Sequence, residues 1–172
     1  MEGGSQAIEE LDRLNLKQLM RLAKVLGRLA YPSLNLLLVG DLGAGKTTFT
    51  RGFARGLGVD ERLVRSPSFA IMYIYTGRLE LIHVDLYRLN DPQEVFYTGV
   101  LDYFDSDEGV LVIEWADRLE DNLPESWVRI SFFIEDSEHR KLLLEGKGDK
   151  EVRYLKKSME VFKLAREARE AG

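Results

Sequence analysis

Gly40-Asp41-Leu42-Gly43-Ala44-Gly45-Lys46-Thr47-Thr48 places a glycine, four residues, and then Gly-Lys-Thr in one short stretch. Glycines at this spacing let a backbone wrap closely enough for successive N–H groups to face phosphate oxygens, and a helix starting behind them favours an anion. The pattern points to nucleoside triphosphate binding by the backbone from Asp41 to Thr48. Lys46 is placed to reach the β- and γ-phosphates, and the Thr47 hydroxyl to reach Mg²⁺. The chain has no Asn-Lys-x-Asp segment of the kind that reads guanine, so ATP is the expected nucleotide.

A phosphate loop needs acids to manage metal and water. Asp85 and Glu114 stand directly after the apolar-rich runs 79–84 and 110–113, where sheets of this kind place ligands. One of them is expected to hold the metal and the other to orient the attacking water, with the assignment open. Ser68, in Ser66-Pro67-Ser68-Phe69, offers a hydroxyl that can sense γ-phosphate and metal, although a plain Ser-Pro turn explains the same residues. His83 reads as an orienting or packed strand residue, and Trp115 as core or a base-stacking platform. Arg65 and Arg88 can neutralise phosphate or pair with surface acids.

The elements that must carry these groups follow from periodicity. Run 36–39 reads as a buried strand feeding the loop, and 48–57 as the helix behind it, closed by Gly58. Upstream, Asn15 and Gln18 form a capping box before the apolar stripe Leu19, Leu22, Ala23, Leu26 and Leu29, and Tyr31-Pro32-Ser33 ends that helix. Runs 69–75 and 78–84 predict a hairpin, Asp91-Pro92 a short helix, and 110–113 a strand buried on both faces. A second hairpin is expected from 127–134 and 140–144 around Asp136-Ser137. Residues 1–14 read as a flexible or helical lead-in. Residues 151–172 read as a C-terminal amphipathic helix whose lysines and arginines alternate with glutamates, as on a solvated face, with a contact surface for RNA or a subunit as the other reading.

Composition narrows the rest. At 172 residues the chain is expected to be one domain burying roughly 70% of its unfolded surface. Without cysteine there are no disulfides or thiolate sites, and two histidines argue against a histidine-rich zinc centre. No apolar run nears the roughly 20 residues that span a bilayer, and Met1 to Ser5 lack a secretory pattern, so a cytoplasmic protein without membrane contact is expected. A net charge of −5 argues against an independent grip on nucleic acid.

The phosphate loop, Ser66-Pro67-Ser68-Phe69, His83-Val84-Asp85-Leu86-Tyr87-Arg88 and Ile113-Glu114-Trp115, in that order, resemble the TsaE (YjeE) family of ATPases needed for tRNA threonylcarbamoyladenosine biosynthesis. The resemblance spans roughly 19–144. It implies an α/β P-loop NTPase with a mostly parallel sheet, flanking helices and added antiparallel hairpins. It further implies Mg²⁺-dependent ATP hydrolysis, Asp85 and Glu114 as essential acids, and Ser68 in a switch-like loop. The implied partners are TsaD and TsaB, which transfer the threonylcarbamoyl group, with tRNA met indirectly through them. The family usually has Thr where this chain has Ser68. Two other readings stay open: a small-molecule kinase recruiting Arg51, Arg55, Arg62 and Arg65, and a nucleotide-gated binding module whose hydrolysis is incidental.

Overall fold

Side chains alternate across a strand, so each apolar strand of this chain needs cover on both faces. The computed structural model describes residues 4–66 and 71–172. In it β1 (Gln6–Leu14), β2 (Asn35–Gly40), β3 (Met72–Tyr75), β4 (Glu80–Asp85), β5 (Gly109–Glu114), β6 (Trp127–Ile134) and β7 (Arg140–Lys147) form one sheet in the order β1-β7-β6-β2-β5-β4-β3. The four central strands are parallel; β3, β7 and β1 add antiparallel pairings at the two edges.

Leu36, Leu38, Val110 and Val112 face one way, against α1 (Leu16–Leu29), α2 (Lys46–Gly56) and α3 (Asp149–Glu170). Leu37, Ile82, Leu111 and Ile113 face the other, where short 3₁₀ segments supply Val95, Val100 and Leu119. The helix expected after Asp91-Pro92 is one of these 3₁₀ segments, Pro92–Tyr97, with Asp91 capping it. Among the described residues no helix is long and apolar enough to cross a membrane.

The α1 capping box forms as expected: Asn15 Oδ1 accepts from the Gln18 amide at 3.0 Å, and Gln18 Oε1 from the Asn15 amide at 2.9 Å. At its other end the Arg78 guanidinium donates to the carbonyls of Gly27, Arg28 and Ala30. The α3 helix begins two residues earlier than the expected 151.

Residues 6–14 overturn the expectation of a flexible or helical lead-in. They form an edge strand antiparallel to β7, from Gln6 opposite Lys147 onward. Ile8 is exposed and no clean alternation marks the run; the strand is dictated by the free edge of β7. A register shift between Leu11 and Leu14, with Arg13 in a left-handed conformation, turns both leucines inward.

Glycine inside a helix costs about 1 kcal/mol relative to alanine, so three in the α1–α2 pair need a reason. A Cβ on Gly27 would stand 2.2 Å from the Phe53 carbonyl oxygen, one on Gly56 2.3 Å from that of Lys24, and one on Gly52 2.8 Å from the Ala23 Cβ. The helices meet backbone to backbone, which seats α2 directly against α1. Gly27→Ala is therefore expected to lower unfolding stability by about 1–3 kcal/mol despite its better helix propensity. Thermal or urea unfolding checks this, and an unchanged midpoint would contradict the close approach.

Candidate active site

The stretch from Gly40 to Gly45 joins the C-terminal end of β2 to the first turn of α2, and its glycines permit the path. Gly43 has φ 78° and Gly45 φ 111°, conformations that side chains strain to adopt. Gly45 is also the N-cap of α2, and no side chain among the described residues caps that helix. Its first amides, which have no acceptor within the helix, therefore stay available to an anion. A cleft of about 440 Å³ opens there, lined by Leu42, Gly43, Gly45, Lys46, Thr47 and Thr48 with Ser66, Ile71, Asp85, Tyr87, Arg88, Glu114 and Trp115.

The acids arrive by strand periodicity. Leu81, His83 and Asp85 share one face of β4, as Val110, Val112 and Glu114 share the same face of the parallel β5, where Asp85 and Glu114 are register partners. Glu114 is buried; its Oε1 accepts the Thr47 hydroxyl hydrogen at 2.7 Å. Its Oε2 bonds to His83 Nε2, and Thr50 Oγ1 lies 3.4 Å from the same oxygen. His83 is wholly buried and its Nδ1 has no partner among the described residues, so the one polar contact that the imidazole makes with them holds Glu114. Of the two readings of His83, the orienting one matches this geometry.

Asp85 is half-buried, and its Oδ1 accepts from the Tyr87 amide at 2.9 Å. Burial pushes its carboxyl above the ordinary value, against the opposing effect of that amide. Lys46 Nζ donates to the carbonyls of Gly40 and Asp41 and sits 4.2 Å from the centre of the Trp115 ring. Burial pushes its ammonium down, while Glu114, Asp85, Asp117 and Asp41 pull it back up. Trp115 lines the cleft and is neither plain core nor open platform. Its backbone is left-handed at φ 57°, ψ 40°, and its ring packs 5.2 Å from that of Tyr87. Such a conformation in a non-glycine residue costs on the order of 1–3 kcal/mol, and strain of this kind concentrates at functional sites.

Thus Leu42, Gly43, Gly45 to Thr48, Asp85 and Glu114 come together with Arg88 on the wall of the cleft, while Asp41 and the buried Ala44 are part of the loop but not of that lining. Ser68 lies outside the described residues; Ser66 is described, with its hydroxyl 3.0 Å from that of Thr47. Arg140, at the start of β7, enters without forewarning. Its Nε donates to the Ala44 carbonyl at 3.1 Å and its Nη2 to that of Gly43 at 3.2 Å, while Nη1 grips the Asp136 and His139 carbonyls. That turn is tied in its own right by Asp136 to Arg13 and His139. The phosphate loop is therefore anchored to the β6–β7 turn.

Comparison with known proteins decides the family. Residues 14–142 match the family described as "Threonylcarbamoyl adenosine biosynthesis protein TsaE". The chain belongs to the TsaE family. A Bacillus subtilis tRNA threonylcarbamoyladenosine biosynthesis protein TsaE is 39% identical over 138 residues, 80% of this chain and 85% of that one. The Treponema pallidum protein of the same name is 41% identical over 114 residues, 66% of this chain and 83% of its own. The crystal structure of Bacillus subtilis YdiB superposes with a TM-score of 0.74 at 30% identity, covering 91% of this chain and 97% of that one. The TsaE-family fold is that of a P-loop NTPase with a mixed seven-stranded sheet. The match ends at residue 142, before α3.

Proposed function

We propose that this TsaE-family chain is a Mg²⁺-dependent ATP hydrolase of tRNA threonylcarbamoyladenosine biosynthesis. It acts in the cytoplasm on the TsaD–TsaB complex and does not itself transfer the threonylcarbamoyl group. The observation that carries the proposal is the hydrogen-bonded row Thr47–Glu114–His83 at the mouth of an uncapped helix, with Asp85 in register beside it.

Thr47, Ser66, Asp85 and Glu114 offer oxygen donors only, which suits a hard cation. Among the described residues no three acids or histidines cluster as a metal cage, in keeping with a cation that relies on water and phosphate ligands. Thr47 and Glu114, directly or through water, would hold Mg²⁺ there, and the ion would supply neutralisation of the negative charge that grows in the transition state. With its hydrogen committed to Glu114, the Thr47 hydroxyl accepts from Ser66 on one lone pair and keeps the other for a cation, which favours Glu114 for the metal side. Asp85, half-buried and with raised proton affinity, is then the group that orients the attacking water.

Arg88 is the one arginine among the described residues lining the cleft; Arg51 donates to the Val64 carbonyl and Arg62 is clamped to Asp60. An arginine finger is worth about 10³–10⁵ in rate, so turnover alone is expected to be slow. Leu42 is 72% and Tyr87 49% exposed on the rim of the cleft, apolar surface suited to cover by a partner. The test is phosphate release by the purified protein, alone and with TsaD, TsaB and tRNA. Stimulated turnover supports the proposal, and a fast ATPase indifferent to the partners, or phosphate appearing on a small acceptor, overturns it.

Arg140→Met tests the loop anchor. The loss of two charged hydrogen bonds to the loop, about 1.5–3 kcal/mol each, loosens the loop in the free and the bound protein alike, and the part felt by the nucleotide is expected to weaken ATP binding about tenfold. Titration with a fluorescent ATP analogue reads this, and unchanged affinity would mean that the loop holds its shape unaided.

A further inference from the structure

The N-terminal helix α1 carries Lys17, Arg21, Lys24 and Arg28 at i, i+4, i+7 and i+11, a single helical face opposite its buried leucines. At 1.5 Å per residue this row extends about 16 Å. It is one wall of a groove of about 610 Å³, to which α2 contributes Arg55 and α3 contributes Arg166 and Arg169. Glu170 is the only carboxylate among the described lining residues, and it pairs with Arg166 at 3.1 Å. Arg55 reaches Glu61 only at 3.9 Å. Lys17, Arg21, Lys24, Arg28 and Arg169 form no ion pair with any described residue.

A chain of net charge −5 that gathers seven cations from three helices into one groove has separated its charge. The net value, which argued against a grip on nucleic acid, averages this away. The ligand that matches is a rod of regularly spaced negative charge. Guanidinium groups, the majority here, fit phosphate oxygens two at a time. An acidic peptide would offer fewer and less regular charges.

We propose that the α1–α3 groove binds the phosphodiester backbone of RNA, as a second surface sharing no residue with the nucleotide cleft. The inference rests on the proposed role in tRNA modification, since that is the RNA within reach. It makes tRNA a direct ligand of this subunit, where the sequence suggested an indirect one. The groove also gives α3, which lies beyond the family match, a reason to be basic at Arg166 and Arg169.

The test is fluorescence anisotropy of labelled bulk bacterial tRNA with the full-length protein across a salt series. Four phosphate contacts imply affinity falling about 10²-fold between about 50 and 200 mM salt. Reversing Lys17, Arg21, Lys24 and Arg28 to Glu together is expected to abolish binding. Should that variant fail to fold, Arg21→Gln with Arg28→Gln is expected to weaken binding at least about tenfold and to reduce the salt slope by close to 2, with ATP hydrolysis at the wild-type rate. Binding that ignores the double substitution, or poly-glutamate competing as well as tRNA does, would overturn the proposal. Loss of tRNA binding with hydrolysis intact would leave the ATPase reading standing, so the two can fail separately.

Discussion

Glu114→Gln is expected to lower ATP turnover about 10²-fold and to raise the Mg²⁺ concentration needed for half-maximal rate, while Mg²⁺-free ATP affinity stays within about threefold of wild type. The substitution keeps the shape but removes the charge. Glu114 accepts from Thr47 with one oxygen and contacts His83 with the other, so an amide leaves one of them facing a donor. The Thr47 hydroxyl then loses the partner that fixes its hydrogen, and the cation loses a neighbouring anion. Asp85→Asn should also lower turnover, by about 10²–10⁴-fold, with the Mg²⁺ requirement close to wild type, because its part is the water. Burial raises the Asp85 carboxyl above its ordinary 3.8, so the acid limb of the rate profile should lie above that pH and vanish in Asp85→Asn. Rates measured against Mg²⁺ and pH for the two variants separate the roles. A Glu114→Gln enzyme with the wild-type Mg²⁺ requirement would remove Glu114 from the metal side.

How far this geometry was legible depends on whether its cause is local. The phosphate loop lies in consecutive residues, so spacing alone located it. His83 and Asp85, two apart on β4, must share a face, and Val112 and Glu114 do likewise on β5. Which acid meets Thr47 was not legible, because it depends on how α2 is seated, and Gly27 meets Phe53 of that helix backbone to backbone from a distant part of the chain. Arg140 reaches the loop from 96 residues away through the β7 pairing, which no local pattern records. Strand β1 has weak alternation of its own and exists because β7 offers an edge. The cationic face of α1 did stand in the sequence at helical spacing. It carries weight only once α3 is seen to close a groove over it.

Lys46→Met tests the same cleft from the phosphate side, and here function and stability should part. An ammonium has three donors; the Gly40 and Asp41 carbonyls take two, leaving one for an anion. A charged hydrogen bond contributes about 1.5–3 kcal/mol, so ATP affinity should fall about 10- to 100-fold, and hydrolysis further, because charge grows on the phosphoryl oxygens in the transition state. Stability should change little. The two carbonyls lose their donor, but the fold no longer has to hold a desolvated cation, whose pKa is lowered chiefly by burial. That lowering sets the sign of the pH dependence. Between the folded pKa and the unfolded 10.5 the unfolded chain binds more protons, so wild-type stability should rise with pH through that window. The methionine variant should lack the rise. Urea unfolding of both proteins at a series of alkaline pH values reads the difference directly. If both curves run parallel there, the ammonium is no more desolvated in the fold than in the open chain, and its hold on Gly40 and Asp41 does not reflect burial.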